Sequence, residues 1–302
     1  MKLPLVVSVI NLTHFMKSFL IASLVCLTAS LQAQTVDFHD HIGIQLWSLR
    51  AQFPKDVTGT MDLISKTYGI KEVETAGTYG VKPALFGADL RSHGLNPVSS
   101  HYGYDQFVKN FPSIVSDLKA MGITYVVIPV LGHAHSKYLT AAQAHEDAAN
   151  LNKWGAALKA EGIQLGVHTH GFEFTPLADS NNETGLDIVM RETMRNLVCF
   201  EMDVFWVYAG GGDPVALLKK YPDRWLMLHI KDLRKGADRA DGVPSHTKLG
   251  DDVAVGTGVI DWKAVLSAAQ ADGVKYYFIE DETTDPLANI PVSLAYLKAL
   301  KL

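Results

Sequence analysis

Four ionisable side chains in the second half of the chain each close a short apolar run. They are His168, Asp203, His229 and Glu280. Carboxylates and imidazoles accept protons in catalysis, and together they bind divalent transition metals better than Ca²⁺. An unpaired charge is costly to bury beside apolar residues. The pattern therefore predicts that these apolar runs end at a shared cation or a polar substrate.

Further polar groups lie at or just after the ends of other apolar runs: Glu74, His101, His170, Glu173, Glu201 and Lys231. A single acid in such a place is more often a helix N-cap or a loop salt bridge. Glu201 allows two interpretations, because it either points inward with Asp203 or pairs with a neighbouring lysine. The joint pattern, rather than any single residue, indicates a functional site.

Glycines divide the chain into repeating units, each an amphipathic stretch followed by a short apolar run. Glycine commonly ends a helix because it adopts the left-handed conformation without strain, and a buried parallel strand then follows. We predict helices over 56–68 and 140–160. The five glycines are Gly69, Gly94, Gly122, Gly162 and Gly273. The predicted strands are 42–48, 70–75, 95–101, 123–130, 163–170, 197–203, 225–231 and 274–280.

Strict alternation of eight strands and helices predicts a closed (β/α)8 TIM barrel in one domain, residues 34–302. A doubly wound sheet is the alternative, but it would need a glycine-rich loop where residues 45–50 stand. A barrel carries its site at the C-terminal ends of its strands, so it would gather the polar residues above. The longest loop, 235–257, is a candidate lid.

Residues 1–33 form a predicted signal peptide, with Met16 as an alternative start. Lys17 precedes an apolar stretch over 19–27, and small residues follow it. The stretch is too short for a membrane anchor, and Val25 disfavours a lipoprotein site at Cys26. We therefore expect an exported, periplasmic protein that leaves the membrane after cleavage. The net charge of −5 without a basic tract argues against nucleic-acid binding.

Four motifs in order resemble the sugar phosphate isomerase/epimerase family of the xylose-isomerase-like TIM barrel superfamily. The resemblance extends over essentially the whole mature chain, and it is specific for the superfamily rather than for a substrate. It implies one divalent metal ion (Mn, Zn, Co, Fe or Mg), held by a strand-5 acid, Asp203, His229 and Glu280. The motifs are 166–174 (GVHTHGFEF), 201–206 (EMDVFW), 228–232 (LHIKD) and 278–280 (FIE).

Strand 5 departs from the family pattern. The ketose epimerases of this superfamily place a glutamate where this chain has His168, and the His-x-His form is closer to the inosose dehydratases. Glu173 follows in the loop, and Gly171 permits a turn back toward the strand. We therefore predict that Glu173 is the fourth metal ligand and that His168 lies within hydrogen-bond distance of the metal or substrate.

The resemblance implies proton abstraction next to a carbonyl, through an enediolate. Glu280 is the first candidate for the base, with Glu173 or His168 as its partner. Lys231 can stabilise the developing oxyanion. The proton then returns to carbon in an isomerase or epimerase. In a lyase or dehydratase a leaving group departs instead.

We expect a small-molecule sugar or keto-sugar as substrate, for example a 3-keto-glycoside or an inosose-like ketone. We predict a metal-dependent sugar isomerase or epimerase, with a keto-sugar lyase or dehydratase and a non-catalytic sugar-binding barrel as the alternatives. Assembly into a homo-oligomer is left open. An apurinic endonuclease is disfavoured, because position 206 is tryptophan where that site needs a histidine. The candidate substrate-binding residues are His170, His101, Glu74, Trp206 and Trp47.

Overall fold

The structure is a computed structural model, and it describes residues 37–132, 139–178, 182–237 and 251–302. The predicted leader and the centre of the 235–257 loop lie outside these residues. Eight parallel strands close into a barrel in the order β1-β10-β7-β6-β5-β4-β3-β2. The predicted TIM barrel is thereby confirmed.

All eight predicted strands are present. They are β1 (Ile42–Gln45), β2 (Glu72–Thr75), β3 (Asn96–His101), β4 (Tyr125–Ile128), β5 (Gln164–His168), β6 (Val198–Asp203), β7 (Trp225–Ile230) and β10 (Tyr276–Ile279). Two short strands, β8 (Asp232–Leu233) and β9 (Asp252–Val253), pair antiparallel outside the barrel. Several barrel strands end earlier than predicted. For example, the Gln45 side chain accepts a hydrogen bond from the Trp47 amide and starts a 3-10 turn.

Helices surround the barrel. They are α1 (Val57–Asp62), α2 (Pro83–Ser92), α3 (Tyr104–Met121), α4 (Ala141–Ala160), α5 (Gly185–Glu192), α6 (Val204–Ala209), α7 (Pro214–Lys220), α8 (Trp262–Asp272) and α9 (Pro286–Ala299). The predicted 56–68 helix is α1 continued by a π-helical turn, Leu63–Thr67. No helix among the described residues is long and apolar enough to cross a membrane.

The glycine pattern marks the helix ends as predicted. All five glycines have positive φ angles, between 69° and 85°. Gly122 and Gly273 are the C-caps of α3 and α8, where their amides donate to carbonyls of the last helical turn. Inside the barrel, Val98, Val127, Met227 and Phe278 form a separate apolar cluster. The large core outside the strands and this inner cluster together hold the strand ends in place.

Candidate metal centre

A cavity of about 370 Å³ lies at the C-terminal ends of the barrel strands. Histidines from β3 and β5 and the carboxylate that follows β10 contribute to its wall. This volume is within the usual range for small-molecule sites. The cavity is lined by Trp47, His101, Tyr102, His168, His170 and Glu280, among others.

Asp203 ends β6 and also caps α6. Its Oδ1 accepts a hydrogen bond from the Trp206 amide at 3.0 Å, so the helix fixes the carboxylate. Its Oδ2 is buried without a hydrogen-bond partner. Oδ2 lies 3.7 Å from His168 Nε2 and 3.9 Å from His229 Nδ1. A fully buried carboxylate oxygen beside two imidazole nitrogens is a suitable donor for a cation.

Glu280 adds a second carboxylate beside His229. Its Oε2 lies 3.3 Å from His229 Nδ1 and 3.5 Å from the Lys231 ammonium. Lys231 is buried, forms a second ion pair with Glu282, and lies 5.4 Å from the centre of the Trp206 ring. The lysine therefore supplies a fixed positive charge at the edge of the site.

We call the donors His168 Nε2, Asp203 Oδ2, His229 Nδ1 and Glu280 Oε2 the upper cradle. Four ligands about 2.1 Å from a metal ion in a tetrahedron are about 3.4 Å apart. The three short separations across the cradle, 3.3, 3.7 and 3.9 Å, are close to that value. The residues therefore fit a single divalent ion, and mixed nitrogen and oxygen donors favour Mn²⁺, Zn²⁺, Co²⁺ or Fe²⁺.

A second polar group, the lower layer, lies deeper in the barrel. It consists of Glu74, His101 and Glu201, together with the other ring nitrogens of His168 and His229. Glu201 Oε2 lies 2.9 Å from His168 Nδ1, 3.0 Å from His101 Nε2 and 3.2 Å from His229 Nε2. These atoms also satisfy the distances of a metal site. The described residues thus contain two clusters with the distances of a metal site, and both use His229: His101, His168, Glu201 and His229 form one, and Asp203, His229 and Glu280 form the other. His168 Nε2 adjoins the second cluster through Asp203 Oδ2.

The electrostatics of the two groups differ. Burial opposes ionisation of Glu201, but the imidazoles of His229, His101 and His168 outweigh it and hold its pKa well below the usual range. Burial raises the pKa of Asp203 to about 6, although the Lys231 ammonium opposes the rise. Glu201 is therefore neutralised by imidazoles of the protein, and Glu280 in the upper cradle is neutralised in the same way by Lys231 and His229. Asp203 is the carboxylate of the upper cradle that the neighbouring cations compensate less than burial costs.

The structure leaves Glu173 out of both clusters. The predicted turn at Gly171 is present, with φ of 98°. It places Glu173 in a short 3-10 helix, where the carboxylate accepts hydrogen bonds from the His170 amide at 3.1 Å. A carboxylate bound to its own loop is withdrawn from the cradle. Burial raises the pKa of Glu173 to about 7.

The predicted substrate-binding residues fall into two groups. Trp47, His101 and His170 line the cavity, and Trp47 is 43% exposed. Trp206 instead stacks on the His170 ring at 4.6 Å. Glu74 is fully buried in the lower layer, 2.8 Å from His229 Nε2.

The sequence left two interpretations of Glu201 open and assigned it no role in the site. The structure supports the inward one, which its spacing of two residues from Asp203 had suggested, because alternate residues of a strand share a face. The strand register agrees, since Glu201 pairs with His168 and Asp203 pairs with His229. β6 therefore contributes one carboxylate to each layer.

Several known proteins are similar to this chain. An inosose dehydratase from Clostridium perfringens is 26% identical over 267 residues, which cover 83% of this chain and 81% of that protein. A sugar phosphate isomerase/epimerase structure from Parabacteroides distasonis is 25% identical with a TM-score of 0.71, over 86% of this chain and 98% of that one.

A third protein, IOLI, was solved with a bound zinc atom. It is 14% identical with a TM-score of 0.64, over 85% of this chain and 95% of that one, so the likeness shows the fold. The family model of the xylose isomerase-like TIM barrel matches residues 65–300, most of the chain. That match agrees with the closed eight-stranded barrel and with the polar site at its strand ends. The chain belongs to the xylose isomerase-like TIM barrel family.

Proposed function

We propose that the chain is a metal-dependent lyase of the dehydratase type, acting on a keto-sugar or a cyclic polyol ketone. The observation that carries this proposal is the asymmetry of the cavity. Its carboxylates, Glu280 and Glu282, both follow β10, whereas β5 contributes His168. A two-base epimerase would need an acid or base on each face of the substrate. Elimination requires only one. The similarity to inosose dehydratases supports the same reaction class.

The upper cradle would hold the metal ion, with His168 in the place that the sequence assigned to Glu173. The buried, unpartnered Asp203 Oδ2 is the structural reason for this choice. A divalent ion bound there supplies Lewis-acid polarisation of a carbonyl and lowers the pKa of the adjacent C–H.

Glu280 is the base that removes the proton next to the carbonyl. Its Oε2 faces the cradle, which leaves the other carboxylate oxygen as the one to accept the proton. Burial opposes its ionisation, but Lys231 and His229 outweigh burial and hold the pKa of Glu280 well below the usual range. The carboxylate is therefore ionised at neutral pH, which a general base requires, although a low pKa weakens it as a base.

Lys231 stabilises the negative charge that develops on the substrate oxygen. The ammonium is held between Glu280 and Glu282 beside two aromatic rings, so its position is fixed. In the elimination, the electron pair of the broken C–H bond forms the new double bond as the β-hydroxyl departs. Glu280 returns its proton to that hydroxyl, which leaves as water. One carboxylate thus serves both steps.

A sugar isomerase or epimerase is the second candidate. His168 and His170 line the cavity apart from the carboxylates, so an imidazole is available on another side of the substrate. The similarity to the Parabacteroides distasonis isomerase/epimerase favours this reading. Burial lowers the pKa of His170 to about 3, and His168 and Lys231 add to this, so His170 would act as a neutral group.

Incubation of the metal-loaded protein with an inosose and a panel of ketoses in D₂O tests the proposal. Loss of one water, detected by mass spectrometry, is expected of a dehydratase. An isomerase or epimerase would give products of unchanged formula that carry carbon-bound deuterium. Glu280→Gln should lower the rate about 10²–10⁴-fold. The matched variant Glu72→Gln should not, because Glu72 pairs with His41 outside the site. If none of these sugars shows deuterium exchange, loss of water or isomerisation, the result contradicts the enzyme and favours a sugar-binding barrel.

We also propose that the chain is exported to the periplasm. The pattern of residues 17–33 supports this proposal. Fractionation of cells that express the full chain tests it, with an N-terminal sequence beginning at Gln34 as the expected result. A cytoplasmic protein with the leader retained would contradict it.

A further inference from the structure

The lower layer contains a carboxylate that contacts three imidazoles at once. Glu201 is fully buried, and its Oε2 lies within 3.2 Å of nitrogens of His101, His168 and His229. Its register on β6 faces it toward His168 of the neighbouring strand. One oxygen atom therefore contacts rings on three other strands of the barrel. It accepts hydrogen bonds from His101 and His168, whereas the shorter contact of His229 Nε2 is with Glu74 Oε1.

A second buried carboxylate, Glu74, contacts two of the same histidines, His101 and His229. Gln45 Nε2 and Ser99 Oγ each donate to Glu74 at 2.6 Å, one to each oxygen. The Glu74 side chain is thereby fixed, and its Oε1 lies 2.8 Å from His229 Nε2. The acceptors that face the lower side of the histidine rings are therefore anchored by neutral donors on β1 and β3.

These contacts determine which ring nitrogens carry protons. An ionised carboxylate only accepts hydrogen bonds, so the nitrogen that faces it must bear the hydrogen. His168 then carries its proton on Nδ1, and His229 carries its proton on Nε2. His168 Nε2 and His229 Nδ1 then face the upper cradle. In the metal-free protein His229 Nδ1 also lies 3.3 Å from Glu280 Oε2, so an ion bound there would take the place of a hydrogen on that nitrogen. Two rings with opposite tautomers thus converge on one point.

The shared rings also decide between the two clusters. If ions occupied both clusters, His168 and His229 would each have to bridge two metals and lose both ring protons. A neutral imidazole has one lone pair on nitrogen, so each ring serves one cluster at a time. The upper cradle has the unpartnered Asp203 Oδ2 and the cavity beside it. In the lower layer Glu201 Oε1 is likewise buried without a partner, but Glu201 Oε2 and both oxygens of Glu74 are occupied by hydrogen bonds.

We propose that Glu201 is a positioning residue for the metal centre, supported by Glu74. Glu201 accepts from His168 Nδ1, and Glu74 accepts from His229 Nε2 with Glu201 Oε2 3.2 Å away. The two carboxylates thereby orient both rings so that His168 Nε2 and His229 Nδ1 face the ion. Such partners of metal-binding histidines commonly orient the ligand and raise its basicity. This inference rests on the proposed function only in placing an ion in the upper cradle.

Titration of the purified metal-free protein with Zn²⁺ alone tests the proposal. Loss of an outer partner typically weakens metal affinity about 10–100-fold, and we expect that loss in Glu201→Gln. A glutamine can place its oxygen where Oε2 stands, but it lacks the negative charge that strengthens the hydrogen bonds from the imidazoles. Glu72→Gln is the matched control on β2, and it should bind Zn²⁺ as the wild type does. Thermal unfolding of each variant shows that the barrel is intact.

Nitrogen chemical shifts of the Zn²⁺-loaded protein supply a readout that a merely structural role would not change. The wild type should show hydrogen on His168 Nδ1 and His229 Nε2, and Glu201→Gln should alter that pattern at His168. Zn²⁺ affinity of Glu201→Gln equal to the control would overturn the inference alone. Abolished binding in Glu201→Gln with intact binding in Asp203→Asn would place the ion in the lower layer and also overturn it. A wild type that binds no Zn²⁺ would refute the metal centre itself.

Discussion

Replacement of Glu173 by glutamine separates the two roles that this residue can have. A metal ligand would lose affinity when its charge is removed. A buried acid bound to its own loop would instead stabilise the protein when it is made neutral. The structure supports the second outcome, because the Glu173 carboxylate bonds the His170 amide and lies in neither cluster.

The magnitude follows from the pKa of Glu173, which burial raises from 4.5 to about 7. Below pH 4.5 both the folded and the unfolded chain hold this proton, so it contributes nothing to their difference. Between pH 4.5 and 7 the unfolded chain releases the proton while the folded chain retains it, and stability falls as pH rises. Each unit of pKa difference corresponds to about 1.4 kcal/mol. The folded protein is therefore about 3 kcal/mol less stable above pH 7 than below pH 4.5 because of this group.

Urea unfolding of the metal-free protein at pH 5 and pH 8 measures this effect. Glu173→Gln should be up to about 3 kcal/mol more stable than wild type at pH 8, and the difference should shrink toward pH 5. Glu161→Gln is the control, because Glu161 is exposed and pairs with Lys119 on the surface, where such changes are within about 1 kcal/mol. A destabilised Glu173→Gln, or one that loses Zn²⁺ binding, would refute the reasoning.

Four further substitutions test the site. Loss of an outer partner of a metal ligand weakens metal affinity up to about 100-fold, and Asp203→Asn should weaken Zn²⁺ affinity further. Circular dichroism should show a folded barrel. Retained affinity would contradict the role of Asp203 as a ligand. His168→Ala should also lose the ion, whereas His170→Ala should keep it, and the opposite result by metal analysis would exclude His168 from the cradle. Trp47→Ala should raise KM about tenfold with little change in kcat, since an exposed ring at the cavity wall contributes to binding; an unchanged KM would remove Trp47 from the substrate site.

The barrel itself could be predicted because its signals are local. Glycines such as Gly122 and Gly273 end helices through their own backbone conformation, and the apolar run that follows each one enters the sheet. Such features depend on a few neighbouring residues, so the sequence contains them. The ends of the strands were predicted less accurately than the strands themselves. The turn at 46–49 depends on a side-chain hydrogen bond from the Trp47 amide to Gln45 that no periodicity records.

The site was predictable where residue type and strand position act together. Asp203, His229 and Glu280 come from three strands, and the structure brings them within one cluster. Glu74 was placed with the substrate, but the structure buries it beneath His229. Depth within the barrel depends on the stagger between strands, and one sequence contains no direct signal for that stagger.

The choice between His168 and Glu173 shows why the strand-5 residue was the hardest to assign. Both residues satisfy the chemistry of a ligand, and the turn at Gly171 was correctly expected. The outcome depends on hydrogen bonding within the turn, since the His170 amide needs an acceptor and Glu173 is in reach. Because the Glu173 carboxylate is taken up by this hydrogen bond, the remaining metal donor of strand 5 is the His168 imidazole, whose Nδ1 bonds Glu201. Because His168 is a neutral ligand, the upper cradle contains two carboxylates. It carries one negative charge fewer than a four-ligand set with three carboxylates. With one fewer like charge beside them, Glu280 and Asp203 ionise more readily than they would next to a third carboxylate. Strand 5 then supplies no carboxylate as a second base, which favours Glu280 acting alone.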